Sequence, residues 1–237
     1  MNNVIIMSIF LITIPLLQIP AVSAWNWNTH QEIVESDYYS LPADMQQNLN
    51  LDIMKKGSLV PDFVFFDFKY HSYPNSYGKA AYWLNEGQKY YKNGDYYYAS
   101  YCYGVASHYI SDSFAAPHAA GIFGPNHNLY ELKASFLKPE VVNVTGDLNS
   151  TMYNGNLNGE KSRTKLVFRG PKTEGFEGWN NWIKSKNNSL VQNDLNHATG
   201  ASYNAMYSSL SDAYPLEENN SPEDTKLEFI MHLLNLI

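Results

Sequence analysis

One stretch of this sequence constrains the fold more than any other. Residues 96–114 read YYYASYCYGVASHYISDSF, and Asp95 before them is a suitable N-cap for a helix. Such a helix is apolar nearly all the way round, which is typical of a central, buried helix. It nevertheless carries His108 and Asp112. Because a buried imidazole and a buried carboxylate are costly unless they are paired or bound to metal, the fold must supply partners for both.

Helical signals dominate the rest of the chain, so the sequence predicts an all-α fold, a single-domain multi-helix bundle. No alternating pattern long enough for a sheet is present, although a short hairpin is expected at residues 164–169, within a polar surface excursion over residues 138–178. Residues 57–74 are expected to form a loop. Helices are predicted over residues 29–39, 42–56, 78–92, 95–114, 126–136, 179–184, 190–210 and 222–236.

Composition narrows the class of protein. The chain has 237 residues, of which 44% are hydrophobic, enough for one domain with a sizeable core. Its net charge of -7 argues against a basic nucleic-acid-binding protein, but not against an enzyme that holds phosphates on metal ions. The single cysteine, Cys102, excludes an intramolecular disulfide, so the core, metal ions or both must hold the fold. Cys102 itself is predicted to be a buried apolar residue.

The first 24 residues are predicted to be a signal peptide. They contain no Asp, Glu, Lys or Arg, and residues 4–17 form a nearly continuous apolar run. Small residues then lead up to Ala24, which predicts cleavage after Ala24, a mature domain of residues 25–237 and a secreted protein. The alternative is an uncleaved N-terminal anchor, against which the short, proline-containing run argues.

Two histidine–carboxylate pairs are the strongest functional signal. His108 and Asp112 are four residues apart, as are His127 and Glu131, and His118 lies between the pairs. Residues at this spacing share one face of a helix, so each pair can bind one metal ion. A single pair could equally be a surface ion pair or a core histidine satisfied by a carboxylate, but the combination favours metal. The donors are nitrogen and oxygen without a thiolate, which favours zinc and leaves Mn, Co and Fe open.

Two further histidines and the mature N-terminus complete the inventory. His197 and His232 have no carboxylate at metal spacing and are predicted to be surface or core-edge residues. Cleavage after Ala24 would give Trp25 a free α-amino group, whose pKa of about 8 lets it lose a proton to a metal near neutral pH. His30 lies five residues on. The alternative for Trp25 is an ordinary frayed chain end.

The residues with this chemistry follow one another along the chain as Trp25, His30, Asp62, His71, His108, Asp112, His118, His127 and Glu131. This series resembles the zinc-dependent phospholipase C family, part of a superfamily that also contains single-strand nucleases. The resemblance covers residues 25–136 and implies an all-α fold around a trinuclear zinc cluster. It implies one zinc ion held by Asp62, His71, His108 and Asp112, a second held by His118, His127 and Glu131, and a third held by the Trp25 amine and carbonyl, His30 and a shared oxygen of Asp112.

The resemblance also implies a hydrolase that cleaves the glycerol-side phosphoester bond of phospholipids. Clustered zinc ions would activate water and stabilise the charged transition state, with Asp62 orienting or deprotonating that water. Glu131 closes the last motif where the nuclease branch has Asp, which favours the lipase branch. Phe63 and Phe68 are candidate substrate-binding residues. Asn28 stands where choline-specific relatives would have an acid, so the headgroup stays open.

Two alternatives remain at this stage. One is a secreted zinc nuclease or nucleotidase on the same metal scaffold, and the other is a non-catalytic surface protein stabilised by metal. The expected partners are a phospholipid substrate and, transiently, a membrane surface. No stable nucleic-acid partner is expected, and the protein is expected to be a monomer.

Overall fold

The structure is a computed structural model, and it describes residues 25–122, 124–162 and 188–211. These residues contain no β-strand, which confirms the all-α prediction for this part of the chain. A π-helix (Pro61–Phe65) and a 3-10 helix (Phe68–Tyr70) lie between α3 and α4. The α-helices are α1 (Trp27–Ser40), α2 (Ala43–Asn48), α3 (Leu51–Gly57), α4 (Asn75–Lys92), α5 (Tyr96–Asp112), α6 (Ala116–Ala119), α7 (Pro125–Ala134), α8 (Leu148–Lys161) and α9 (Ser189–Leu210).

Helix α5 is the central element, as its composition predicts. The side chain of Asp95 accepts a hydrogen bond from the Tyr98 backbone N–H at its start, and every residue from Ala99 to Asp112 is buried. Helices α1, α3, α4 and α9 pack around it. Cys102 is fully buried within this core, and burial raises the pKa of its thiol well above the usual range. The predicted apolar role of Cys102 is therefore confirmed.

A glycine in α5 allows α3 to approach unusually closely. A Cβ atom at Gly104 would lie only 2.1 Å from the carbonyl oxygen of Met54. Only a residue without a Cβ fits there, because real Cβ atoms do not approach an oxygen so closely. The approach brings the end of α3, with Ser58, against the side of α5 that carries His108.

Two local predictions need correction. The helix predicted over residues 42–56 is two helices, α2 and α3, because Leu49 is extended and the Asn50 side chain accepts a hydrogen bond from the Ile53 N–H to begin α3. The surface excursion predicted over residues 138–178 contains α8. A Cβ at Gly155 would lie 2.5 Å from the Phe114 ring, so this glycine-rich helix forms because its glycines let it pack closely on its neighbours.

Several predicted features lie outside the described residues. They are the signal peptide over residues 1–24, the hairpin over residues 164–169, the helices over residues 179–184 and 222–236, and His232. No helix in the described part of the chain combines the length and hydrophobicity needed to cross a bilayer.

A small polar cluster links three helices beside the core. Asp37 of α1 is fully buried, and its Oδ2 accepts a hydrogen bond from the Ser202 hydroxyl of α9 at 2.6 Å. The same hydroxyl lies 2.8 Å from that of Ser107 in α5. Burial raises the pKa of Asp37 well above its ordinary value, and the hydrogen bonds from Ser202 and Ser107 only partly oppose this.

Candidate metal centre

The carboxylate of Asp112, at the end of α5, is the centre of a buried histidine cluster. Its Oδ2 lies 2.7 Å from Nδ1 of His71 and 3.3 Å from Nε2 of His108, and its Oδ1 lies 3.3 Å from Nε2 of His30. All four side chains are almost completely buried. The two oxygens of one carboxylate therefore face histidines from three separate segments of the chain, which is the arrangement that a bridging ligand requires.

Asp62 closes the other side of this cluster. Its Oδ1 lies 3.7 Å from Nδ1 of His71 and 3.8 Å from Nε2 of His108. The candidate ligand atoms of Asp62, His71 and His108 all lie within 4.8 Å of one another, close enough to hold one metal ion. The same is true of His30, His108 and Asp112. The residues predicted for the first zinc, Asp62, His71, His108 and Asp112, thus lie in one cluster.

The second predicted group lies on α6 and α7. Nε2 of His127 is 2.6 Å from Oε1 of Glu131, as the four-residue spacing on a helix predicts. The His118 ring centroid is 4.9 Å from that of His127 and 5.7 Å from that of His71. Among the described residues, the candidate ligand atoms of His118, His71 and Asp112 all lie within 4.8 Å of one another. His118 therefore lies between the two predicted groups.

Backbone carbonyls orient three of the imidazole rings. Nδ1 of His108 donates to the Ser58 carbonyl at 2.7 Å, Nδ1 of His118 to the His71 carbonyl at 3.0 Å, and Nδ1 of His127 to the Ile122 carbonyl at 2.9 Å. Because a carbonyl can only accept, each neutral ring carries its proton on Nδ1. The Nε2 atom then keeps its lone pair, which is the form that binds metal.

Trp25 is fixed beside this cluster. Its ring is fully buried, 5.4 Å from the Tyr130 ring, and its indole N–H donates to the Ser111 carbonyl at 3.0 Å. The Ser111 hydroxyl in turn lies 3.3 Å from Nδ1 of His30. The side chain of Trp25 is therefore anchored beside Ser111 and, through Ser111, close to His30.

The electrostatics of the cluster follow from burial and from its carboxylates. Burial acts to raise the pKa of Asp112, but the neighbouring His108, His30 and His71 outweigh it and hold that pKa well below its usual value. Burial acts to lower the pKa of His71, but Asp112, Asp67 and Asp62 outweigh it and raise the pKa to about 10.

Burial favours the neutral form of two other histidines in the cluster. Burial lowers the pKa of His118 to about 3, and burial together with the nearby His108 lowers that of His30 well below its usual value. Neutral imidazoles are the form in which histidine serves as a metal ligand.

The donor atoms fit a bound metal. Within the described residues, buried atoms that lack a hydrogen-bond partner concentrate here, and an unsatisfied buried polar atom costs free energy. A cation among them would satisfy several at once. The nitrogen and oxygen donors fit zinc. They include Nε2 of His30, His108 and His118, and Oδ1 of Asp112.

Comparison with known proteins identifies the family of this chain. The family model described as zinc dependent phospholipase C matches residues 29–204. The chain belongs to the zinc-dependent phospholipase C family. The family predicted from the sequence is thereby confirmed.

A solved structure resembles this family member. It is the Clostridium perfringens alpha-toxin isolated from avian strain SWCP, with 16% sequence identity and a TM-score of 0.53. The match covers 81% of this chain and 66% of the toxin chain, slightly less than two thirds of the toxin's length. At this identity the likeness concerns the helical fold. No curated protein matches the sequence.

The sequence reasoning missed Asp67, which supports His71 in this phospholipase C family member. Oδ2 of Asp67 accepts a hydrogen bond from the Tyr109 hydroxyl at 2.7 Å, and its Oδ1 lies 3.8 Å from Nε2 of His71, on the side of the ring away from Asp112. Lys79 lies 3.9 Å from Oδ2. The sequence contains a signal for it, because Asp67 stands four residues before His71, the reverse of the order in the two histidine–carboxylate pairs.

The remaining predicted residues divide between the site and the surface. The Phe68 ring centroid lies 5.7 Å from that of His71, at the edge of the cluster, whereas the Phe63 side chain is 56% exposed. His197 is exposed on α9, and its Nδ1 lies 2.8 Å from the Asn193 carbonyl oxygen one turn earlier. The prediction that His197 is a surface residue is confirmed.

Proposed function

We propose that this chain is a secreted, zinc-dependent phosphodiesterase that cleaves the glycerol-side phosphoester bond of phospholipids. The observation that carries the proposal is the contact of both Asp112 oxygens with three buried histidines, in a member of the zinc-dependent phospholipase C family. A carboxylate buried among imidazoles is costly unless a cation is present, and a bridged cluster of cations suits phosphoester cleavage.

The residues assigned to three zinc ions follow the sequence prediction. Asp112 would be shared, since its two oxygens face different histidines. The assignment is Asp62, His71, His108 and Asp112 for one ion, His118, His127 and Glu131 for a second, and the Trp25 amine and carbonyl, His30 and Asp112 for a third.

The side chains divide the work of the reaction. Zinc, when bound, would lower the pKa of a water molecule and stabilise the negative charge on the phosphate oxygens. Asp62, at the edge of the cluster and still slightly exposed, is placed to accept the proton of an attacking water. The Ser58, His71 and Ile122 carbonyls keep His108, His118 and His127 in fixed orientations, so no ring has to turn during turnover.

The proposal also covers the substrate of the protein, its location and its partners. Glu131 at the end of the last motif favours phospholipid over nucleic acid, and the predicted leader with cleavage after Ala24 favours secretion. We expect a monomer that touches membranes transiently and has no stable nucleic-acid partner.

The test is a metal analysis combined with a substrate panel. Protein beginning at Trp25 should contain three zinc ions per chain and hydrolyse short-chain phosphatidylcholine or phosphatidylethanolamine to diacylglycerol, with little action on single-stranded DNA. Asp112→Asn is the inactive control. Cleavage of DNA without cleavage of lipid would favour the nuclease alternative. Zinc binding without hydrolysis of either substrate would favour the non-catalytic alternative.

A further inference from the structure

Three apolar side chains project into solvent beside the metal centre. Phe63 is 56% exposed, Val64 43% and Phe66 61%. They lie in the segment between Asp62 and Asp67, two carboxylates of the cluster described above. We call Phe63, Val64 and Phe66 the apolar rim. Exposed large apolar side chains that cluster in this way mark interaction surfaces more often than scattered ones do.

The segment that carries the rim is firmly attached to the protein. Phe65 points inward, and its ring stacks on that of Trp83 with centroids 5.8 Å apart. Asp62 is buried in the cluster, and Asp67 accepts the hydrogen bond from Tyr109. The inward side chains therefore fix the backbone, and the outward direction of the rim follows from that attachment.

The backbone at Phe66 is strained. Phe66 has φ 51° and ψ 37°, in the left-handed region, and it is the one non-glycine residue with positive φ among the described residues. A phenylalanine there costs free energy that Asn or Gly would avoid. A strained, exposed phenylalanine at the edge of a candidate active site indicates that the ring itself has a use.

We propose that the apolar rim inserts shallowly into the surface of a phospholipid membrane and holds the metal centre at the level of the lipid phosphates. This inference rests on the proposed phospholipase C function. The scissile phosphoester of a lipid lies just outside the acyl chains. Apolar side chains next to Asp62 would enter that boundary while the metal centre stays among the headgroups.

Charge leaves the apolar rim as the main source of affinity for a membrane. Lys69, three residues after Phe66, is exposed and can meet headgroup phosphates. The whole chain carries a net charge of -7, so general electrostatic attraction to an anionic membrane is absent and the apolar rim must supply the affinity.

Another exposed aromatic provides a matched control. Phe136 is 79% exposed, more than any residue of the rim. It lines a cavity of about 700 Å³ together with Glu32, Glu35 and Lys138. The two carboxylates make that surface unsuited to insertion among lipids, so Phe136 offers the same side chain in a different setting.

The experiment compares Val64→Ser/Phe66→Asn with Phe136→Asn. Asparagine tolerates the backbone conformation at Phe66, so the double variant should melt at or above the wild-type temperature in circular dichroism. Zinc-loaded proteins are mixed with vesicles of a phosphonate analogue of phosphatidylcholine, which cannot be hydrolysed, and bound protein is measured by sedimentation. The double variant should bind at least tenfold more weakly, since burial of one phenyl ring is worth about this factor. Phe136→Asn should bind like the wild type.

Hydrolysis of dissolved, monomeric dibutyroyl phosphatidylcholine separates this proposal from the proposed function. Both variants should keep the wild-type kcat/KM on this substrate. A wild type that cleaves no monomeric lipid would contradict the proposed function. Vesicle binding is measured on a lipid that cannot be hydrolysed, so it tests the apolar rim independently of activity. Equal vesicle binding by the wild type and the double variant, or no binding by the wild type, would overturn the role of the rim. The role of the rim in membrane binding would also be overturned if sedimentation velocity showed a dimer for the wild type and a monomer for the double variant.

Discussion

Nδ1 of His71 lies 2.7 Å from Oδ2 of Asp112, the shortest of the three contacts between this carboxylate and a histidine. His71 comes from the connection before α4 and Asp112 from the end of α5, so the contact joins two segments that share no helix. A proton shared by these two atoms occupies Nδ1 of His71, and a metal ion would have to displace it to bind that nitrogen. Metal binding and protonation of His71 are therefore linked.

The first prediction concerns the shared carboxylate. Asp112→Asn keeps the shape of the side chain but removes its charge and one anionic oxygen. We expect the variant to lose two of three zinc ions, to lower activity by orders of magnitude and to melt at a lower temperature. Mass spectrometry of bound metal and thermal melting measure this. Retention of three zinc ions and full activity would contradict the assignment of Asp112 as a bridge.

The second prediction concerns the pair on α7. Glu131→Gln should remove one zinc ion per chain and reduce activity strongly, because an amide is a poor substitute for the carboxylate beside His127. His197→Ala is the control and should do neither, since His197 is exposed on α9. Equal loss of zinc from both variants would show that the histidines were assigned wrongly.

The third prediction concerns the N-terminus. A Met retained in front of Trp25 turns its amine into an amide, which has no lone pair for a metal at neutral pH. That protein should bind its third zinc poorly and hydrolyse phosphodiesters slowly, and removal of the Met by an aminopeptidase should restore both. His30→Ala should affect the same zinc. Full zinc and full activity in the extended protein would mean that the Trp25 amine is no ligand.

The fourth prediction concerns Asp67, a positioning residue for His71. Asp67→Asn should weaken zinc binding by about 10–100-fold, the usual effect of losing a carboxylate behind a ligating histidine. Tyr109→Phe removes the hydrogen bond to Asp67 and should produce a smaller effect in the same direction. Competition against a zinc-binding dye measures both. An unchanged affinity in Asp67→Asn would reduce the role of Asp67 to packing.

The fifth prediction uses the buried Asp37. Burial raises its pKa in the folded state, so its favourable contribution to stability is complete below the unfolded pKa and is lost as pH rises through the folded value. Asp37→Asn does not ionise. The melting temperature of the variant minus that of the wild type should therefore rise from acidic toward neutral pH. Loss of zinc at low pH affects both proteins and cancels in the difference. A difference independent of pH would show that Asp37 is not buried as an acid.

The sequence predicts correctly those helices whose caps and hydrophobic patterns lie within their own residues. Helix α5 was predictable because Asp95 caps it and its residues are apolar on every side, and the four-residue spacing of His127 and Glu131 placed both on one face of α7. Helix α8 was missed because its glycines look unfavourable until the surfaces of Phe114 and Ala119 are known. Propensity is local, whereas the close packing that overrides it comes from distant residues.

The candidate metal centre could also be predicted in part from local sequence patterns. Side-chain types and their order along the chain were enough to nominate the cluster around Asp112. The contacts that orient it could not be predicted, because Ser58 and Ile122 act through backbone carbonyls that every residue type possesses. Asp67 was accessible only to a search for a carboxylate on either side of each histidine.

The three carbonyl–imidazole hydrogen bonds also affect how the protein can evolve. Each carbonyl lies just beyond the end of a helix or helical turn: Ser58 after α3, His71 after the 3-10 helix and Ile122 after α6. Ser58 and Ile122 can therefore be replaced by other residues during evolution with little effect on their imidazoles, provided that the backbone path is kept. A one-residue insertion or deletion at either position would move the acceptor away. In relatives, these short connections should vary in composition and stay constant in length.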